Sequence, residues 1–241
     1  MSAGGAVRAP GSAYYEGQLG YIGEHYDLSV NGVPWRMLFV GMELGGTDMF
    51  GTPRLVDRRR RSRHHDLALP PDSPTRNKHM NGVILALRYA LGLRIGIDPK
   101  REFVPIVNAD RPAHVLLCYA LINARLCSAT PQPGVRRSAG VPRMTSNCFS
   151  HLEAAVRILQ PTLVVIQGKG LWPEIEAALR DPKRADPRLP LKHATIGGVE
   201  TMVAHFSHPT AQDFSWAEPN HRYLQEEVVP TLRTAVRIAR Y

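Results

Sequence analysis

The chain has 241 residues, 44% of them hydrophobic, and carries a formal net charge of +9. That length allows one large domain or two small ones with a substantial core, and the hydrophobic share excludes wholesale disorder. The excess of cations favours a polyanionic partner such as nucleic acid, although charge by itself assigns none.

The opening "MSAGGAVRAPGSA" has neither a basic start nor an apolar run. Residues 1–13 are therefore expected to be a flexible tail and not a signal peptide, ahead of a single α/β domain over residues 14–241. No apolar run is long enough for a transmembrane helix. In "YDLSVNGVPWRMLFVG", Asn31-Gly32 separates two extended stretches. This hairpin signal predicts a short strand beside the buried strand of residues 37–40. Residues 51–77 are rich in Arg and Pro and lack apolar periodicity, which predicts a long loop. Over residues 78–93 the apolar positions Val83, Leu87, Ala90 and Leu91 recur at helical spacing, closed by Gly92.

"HVLLCYALINARLC" reads as a second buried strand ending near Asn123. After a Pro/Gly/Arg loop over residues 130–142, "SNCFSHLEAAVRILQP" forms an amphipathic pattern with Asn147 as N-cap and Pro161 beyond the end. "TLVVIQG" is a third strand, "LWPEIEAALR" a third helix and "VETMVAHFSHPT" a fourth strand. "NHRYLQEEVVPTLRTAVRIARY" is a last helix that Pro230 should kink. Cys118, Cys127 and Cys148 match no zinc spacing and are expected to be reduced thiols of a cytoplasmic protein.

Strands alternating with helices predict a three-layer α/β/α sandwich around a central, mainly parallel four-stranded sheet. Ligands of such sheets sit beyond the carboxyl ends of the strands. Those ends are Gly41-Met42-Glu43, Asn123, Gln167-Gly168 and His208-Pro209-Thr210. The rule thus predicts an acid, an amide and an imidazole converging on one rim.

Four short motifs carry a family resemblance: Gly41-Met42-Glu43-Leu44-Gly45 after the first strand, "LINARLC" at the second, "NCFSHLEAAVRILQPTLVVIQG" through the second helix and third strand, and "HFSHPT" after the fourth. In this order they resemble the uracil-DNA glycosylase superfamily, over residues 36–215. The first motif is similar to the GQDPY loop of one branch and the GEAPG loop of the iron–sulfur branch. In the second, Asn123 precedes Cys127 by four positions, as a uracil-reading asparagine does in the iron–sulfur branch.

The resemblance implies an enzyme that flips uracil out of DNA and hydrolyses its N-glycosidic bond, leaving an abasic site. Such a reaction develops negative charge on the base and positive charge on the sugar. Glu43 would orient water beneath C1′ and offset the sugar cation, while His208 would donate to the uracil O2. Asn123 would read O4 and N3–H, Gly41, Met42 and Gly45 would line the pocket, and Phe50 would stack on the base. Phe214 and Trp216, with Thr210 and Gln212, stand where the family intercalates. Arg58, Arg59, Arg60, Arg61, Arg136 and Arg137 are candidate phosphate contacts. The implied partner is uracil-containing DNA, single- or double-stranded, bound by a monomer with no membrane contact.

The chain also departs from the family. No cysteine precedes Cys118, so no iron–sulfur cluster or other cofactor is expected. Leu44 replaces a proline, and Gly45 stands where one branch has a tyrosine that blocks the thymine methyl. That leaves glycosylases for mismatched thymine, hypoxanthine or xanthine as alternatives, together with a non-catalytic uracil- or DNA-binding module. Taken singly, the residues also have plainer readings. Glu43 fits a helix N-cap acid, Asn123 a strand-end residue satisfying backbone groups, and "RRRRSRHH" a solvated loop.

Overall fold

Strands buried on both faces are expected to be apolar along their length, and two segments come close to that, broken only by a terminal glycine in one and a terminal glutamine in the other. Met37–Gly41 and Leu163–Gln167 are buried at all five residues each. They form the middle of a seven-stranded sheet. The computed structural model describes residues 13–16, 20–30, 32–42, 78–92, 102–106, 110–130 and 141–238. In chain order the sheet strands are Tyr21–Ile22 (β1), Met37–Gly41 (β2), Tyr119–Asn123 (β3), Leu163–Gln167 (β4), Arg180–Arg184 (β5), Leu191–Ile196 (β6) and Val199–Phe206 (β7).

The spatial order is β5-β6-β7-β4-β2-β3-β1. The contiguous strands β7, β4, β2 and β3 pair in parallel, and β1, β5 and β6 are antiparallel additions at the edges. Parallel neighbours need long crossovers. Helices Lys78–Ala90 (α1), Pro142–Leu159 (α2) and Trp172–Glu176 (α3) lie in them, and Val229–Ile238 (α4) follows the sheet. Alternation sends Met37, Phe39 and Val165 to one face, where they pack with Val83 and Leu87 of α1 and Leu232 of α4. Leu38, Val40 and Val164 face the other way, against Leu152 and Val156 of α2 and Ile175 of α3. Each fully buried side chain of this kind contributes roughly 1.5–3 kcal/mol.

The protein is thus α/β, but its sheet is larger and more mixed than the four strands expected. Two strands come from "LKHATIGGVETMVAHF", whose first half joins the sheet as β6. The hairpin turns at Gly197-Gly198, with φ of 57° and 86°, values that suit glycine and match the twist of paired strands. The expected third helix stops at Glu176, and Arg180–Arg184 is instead an exposed edge strand. Its Lys, Arg and Pro suit an edge because they discourage further pairing.

Other boundaries also moved. Ser29–Val30 does turn back on Val33–Pro34, yet this ribbon stands apart, and the neighbours of β2 are β4 and β3. "HVLL" begins as a single 3-10 turn, Val115–Leu117, whose start is held by the Leu116 N–H donating to His114 Nδ1 at 3.2 Å. Helix α2 starts at Pro142, so Asn147 lies inside it and does not cap it. Proline suits a first helical position, where its missing N–H goes unmissed. The disturbance expected at Pro230 is a π-helical stretch, Leu224–Val228, just ahead of it. Proline cannot donate the intrahelical bond, and the preceding backbone widens instead. Among the described residues no helix is long and apolar enough to cross a membrane.

Candidate functional site

Gly41, Asn123 and Gln167 end three adjacent parallel strands, and strand alternation puts all three on the face that carries α1 and α4. Gly41 is the register partner of Asn123. A Cβ at Gly41 would lie 2.9 Å from Asn123 Oδ1 and 4.0 Å from Gln167 Oε1. The Asn123 amide therefore fills the notch that a glycine at this position leaves, with the Gln167 amide beside it. Beyond the sheet, the Ala124 N–H donates to the Gly41 carbonyl at 2.8 Å and the Arg125 N–H to the Met42 carbonyl at 2.9 Å. Buried Arg125 donates through Nε to Thr145 Oγ1 at 2.9 Å, tying this loop to α2. The Met42 side chain crosses toward Gly168 at the end of β4.

Gln167 is fully buried, and among the described residues neither its Oε1 nor its Nε2 has a hydrogen-bond partner. An amide left this way is destabilising, since it gave up water for nothing.

The fourth strand delivers the imidazole. The Gly168 N–H donates to the Phe206 carbonyl at 2.8 Å, extending the β4–β7 pairing to within two residues of His208. His208 Nδ1 lies 2.9 Å from Thr210 Oγ1 and accepts from the Thr210 N–H at 3.3 Å. With Nδ1 serving as acceptor, the neutral ring carries its proton on Nε2. That nitrogen is 3.3 Å from Nδ1 of His79, in the first turn of α1. Part of His208 remains open to solvent, but burial of its ring lowers the pKa below the ordinary imidazole value. The group is therefore neutral at physiological pH.

The loop beneath this histidine is tightly braced. A Cβ at Gly82 of α1 would fall 2.8 Å from the Pro209 Cβ, so helix and loop are in close contact. The Trp216 indole N–H donates to the Ser207 carbonyl at 2.8 Å and the Ser215 hydroxyl to the Pro209 carbonyl at 3.1 Å. The Ser207 N–H donates to the Tyr223 hydroxyl at 3.1 Å, and the Ser207 hydroxyl bonds the Phe214 carbonyl.

Of the residues expected at the site, Gly41, Met42 and Asn123 meet at neighbouring strand ends, and His208 stands at the far end of the same rim. Three strand spacings separate β3 from β7, roughly 14 Å between backbones. Gln167 and Gly41 lie between the two. Thr210 and Gln212 are exposed. Phe214 is 46% exposed, with Lys169 Nζ 4.2 Å above its ring.

Trp216 requires a correction. It is fully buried, packed edge-on against Phe206 at 5.8 Å between ring centroids. It anchors the loop and cannot serve as a wedge in this conformation. Glu43, Gly45, Phe50, Arg58, Arg59, Arg60, Arg61, Arg136 and Arg137 lie outside the described residues.

Two residues of this rim carry no role in the sequence reading: Gln167, named there only as a strand end, and His79. Gln167 is the lone amide closing an otherwise apolar strand, and that mismatch was its signal. His79 had no signal beyond its position at the start of a helix. On the opposite face His205 stacks on Trp172, with centroids 4.0 Å apart and planes within 7°. Burial above all pushes its pKa down to about 4; Glu176 opposes this shift, and Lys192 and Lys169 add to it. Among the described residues no three His, Cys, Asp or Glu side chains cluster as metal ligands do. Cys118 is buried and Cys148 half-buried, both as free thiols. No protein-family model matches the chain, and no curated protein matches it.

Proposed function

We propose that this protein is a DNA glycosylase of the uracil-DNA glycosylase superfamily, hydrolysing the N-glycosidic bond of uracil in DNA after flipping the nucleotide out. In this reading the helices on both sheet faces make a three-layer α/β/α sandwich around four parallel strands. The observation that carries the proposal is the notch at Gly41, filled by Asn123, on the rim that also bears a neutral His208. Each of these positions lies in one of the resembling motifs.

The chemistry follows from the geometry. The His208 Nε2–H, now directed at His79, is a preorganised donor for the uracil O2 as negative charge develops there. One such donor contributes about 2.7–4 kcal/mol to lowering the barrier. A neutral donor suits this role because it stabilises the anion with no need of a proton from solvent. Asn123 supplies an amide donor and acceptor that match O4 and N3–H and mismatch the edge of cytosine. Glu43, next in the chain after Met42, takes the water-orienting role. Phe214 is the apolar side chain available to fill the gap left in the duplex. The reaction as drawn assigns no cofactor.

The proposal is tested by incubating the protein with an oligonucleotide containing one uracil and treating the product with alkali. Strand cleavage at the uracil is the expected result. Cleavage no greater than background, in both single- and double-stranded DNA, would falsify it.

A further inference from the structure

We propose that Gln167 is a second base-reading amide, gripping with Asn123 the lactam edge of the extruded base beside Gly41. The inference rests on the glycosylase reading of this rim and adds a role for a residue to which the resemblance assigns none.

Three observations carry it. Gln167 is wholly buried, and among the described residues both polar ends of its amide are without a partner. A site that keeps such a group bears its cost in the free protein, and a ligand that satisfies it recovers that cost. Its Oε1 lies 4.0 Å from the position a Cβ would take on Gly41, and Asn123 Oδ1 lies 2.9 Å from the same point. The two amides therefore approach Gly41 from the strands on either side of it, Asn123 close against its backbone and Gln167 just beyond. Finally, both side chains stand on the sheet face of α1, whose first turn holds His79 against His208.

The chemistry of the occupant follows from counting donors and acceptors. Each amide supplies one N–H-bearing end and one carbonyl. A lactam, a ring N–H beside a ring carbonyl, offers the matching acceptor and donor. Uracil presents N3–H between O4 and O2. With Asn123 on O4 and N3–H, the Gln167 amide N–H takes the second lone pair of O4. Its carbonyl is then left for a further donor, either water or a second ring N–H such as xanthine carries. Gln167 is thus the residue on this rim that ranks lactam bases against one another.

The test compares wild type with Gln167→Met, which keeps the length of the side chain and removes both polar ends. Melting temperature is read without ligand and with free uracil, hypoxanthine or xanthine, and base release is read on oligonucleotides carrying each base. Without ligand the variant should melt roughly 2–4 °C higher, because a buried unsatisfied amide is gone. Its kcat/KM on the best lactam substrate should fall about 10- to 100-fold, and the ligand-induced rise in melting temperature should shrink with it.

A variant that melts lower than wild type without ligand would make Gln167 structural and overturn the proposal. So would equal ligand-induced shifts in the two proteins with unchanged release, and so would a wild type that none of the bases shifts. Wild type that releases no base, yet shows a shift lost in Gln167→Met, would fell the glycosylase reading and leave Gln167 as a recognition residue.

Discussion

The two histidines of "VAHFSH" are three positions apart and do different work. His208 has its Nδ1 occupied by Thr210, which directs its remaining proton at whatever lies beyond Nε2. His205 is on the far face, sandwiched against Trp172, with burial holding its pKa near 4 against an ordinary 6.5. The unfolded chain takes up a proton at this residue below about pH 6.5, and the folded chain resists until about pH 4. The stability this confers is fully present above 6.5 and is lost as pH falls toward 4. Melting temperature measured from neutral pH down to about 4 should therefore fall less steeply in His205→Phe, which keeps the stack without the titration. Parallel curves for the two proteins would contradict the burial assigned to His205.

At the scale of elements, the loop after β7 separates two aromatics that the sequence "AQDFSW" leaves alike. Trp216 is buried and hydrogen-bonded to the Ser207 carbonyl, and Trp216→Ala should cost about 3–5 kcal/mol of stability by chemical denaturation. Phe214 is half exposed, so Phe214→Ala should leave stability nearly unchanged and slow uracil release from duplex DNA more than from single strands. The reverse pattern would return Trp216 to the wedge role. The parallel strands were legible because an apolar run ending in glycine or a polar residue has few other uses in a chain this long. The hairpin strand β6 was less so, since Lys192 and His193 break its alternation, although Gly197-Gly198 marked the turn. Strand β5 had no such mark. "RDPKR" is a strand through its pairing with β6, a relation that no local pattern encodes.

For the whole molecule, the net charge of +9 favoured a polyanionic partner and the strand-end rule located a rim, while the functional class came from the four motifs that resemble the glycosylases. Asn123 and His208 were legible because both follow apolar runs at strand ends. Gln167 was legible as a position but not as an unsatisfied amide, because burial and partnering emerge only when three strands meet. The Arg58–Arg61 run is assigned to phosphate binding by sequence alone. Replacing all four with Ser should flatten the dependence of log affinity on log salt by up to about four, near one for each phosphate no longer neutralised. An unchanged slope would make the run a solvated loop.

The central claim is that an amide and an imidazole on one rim, with the acid that follows Met42, release uracil from DNA. Its most direct measurement is free uracil liberated under single-turnover conditions by wild type, Glu43→Gln, Asn123→Ala and His208→Ala. The account predicts stoichiometric uracil from wild type and a rate lowered about 10²- to 10³-fold by His208→Ala, with strong losses in the other two variants. No free uracil from wild type, or wild-type rates in all three variants, would contradict it.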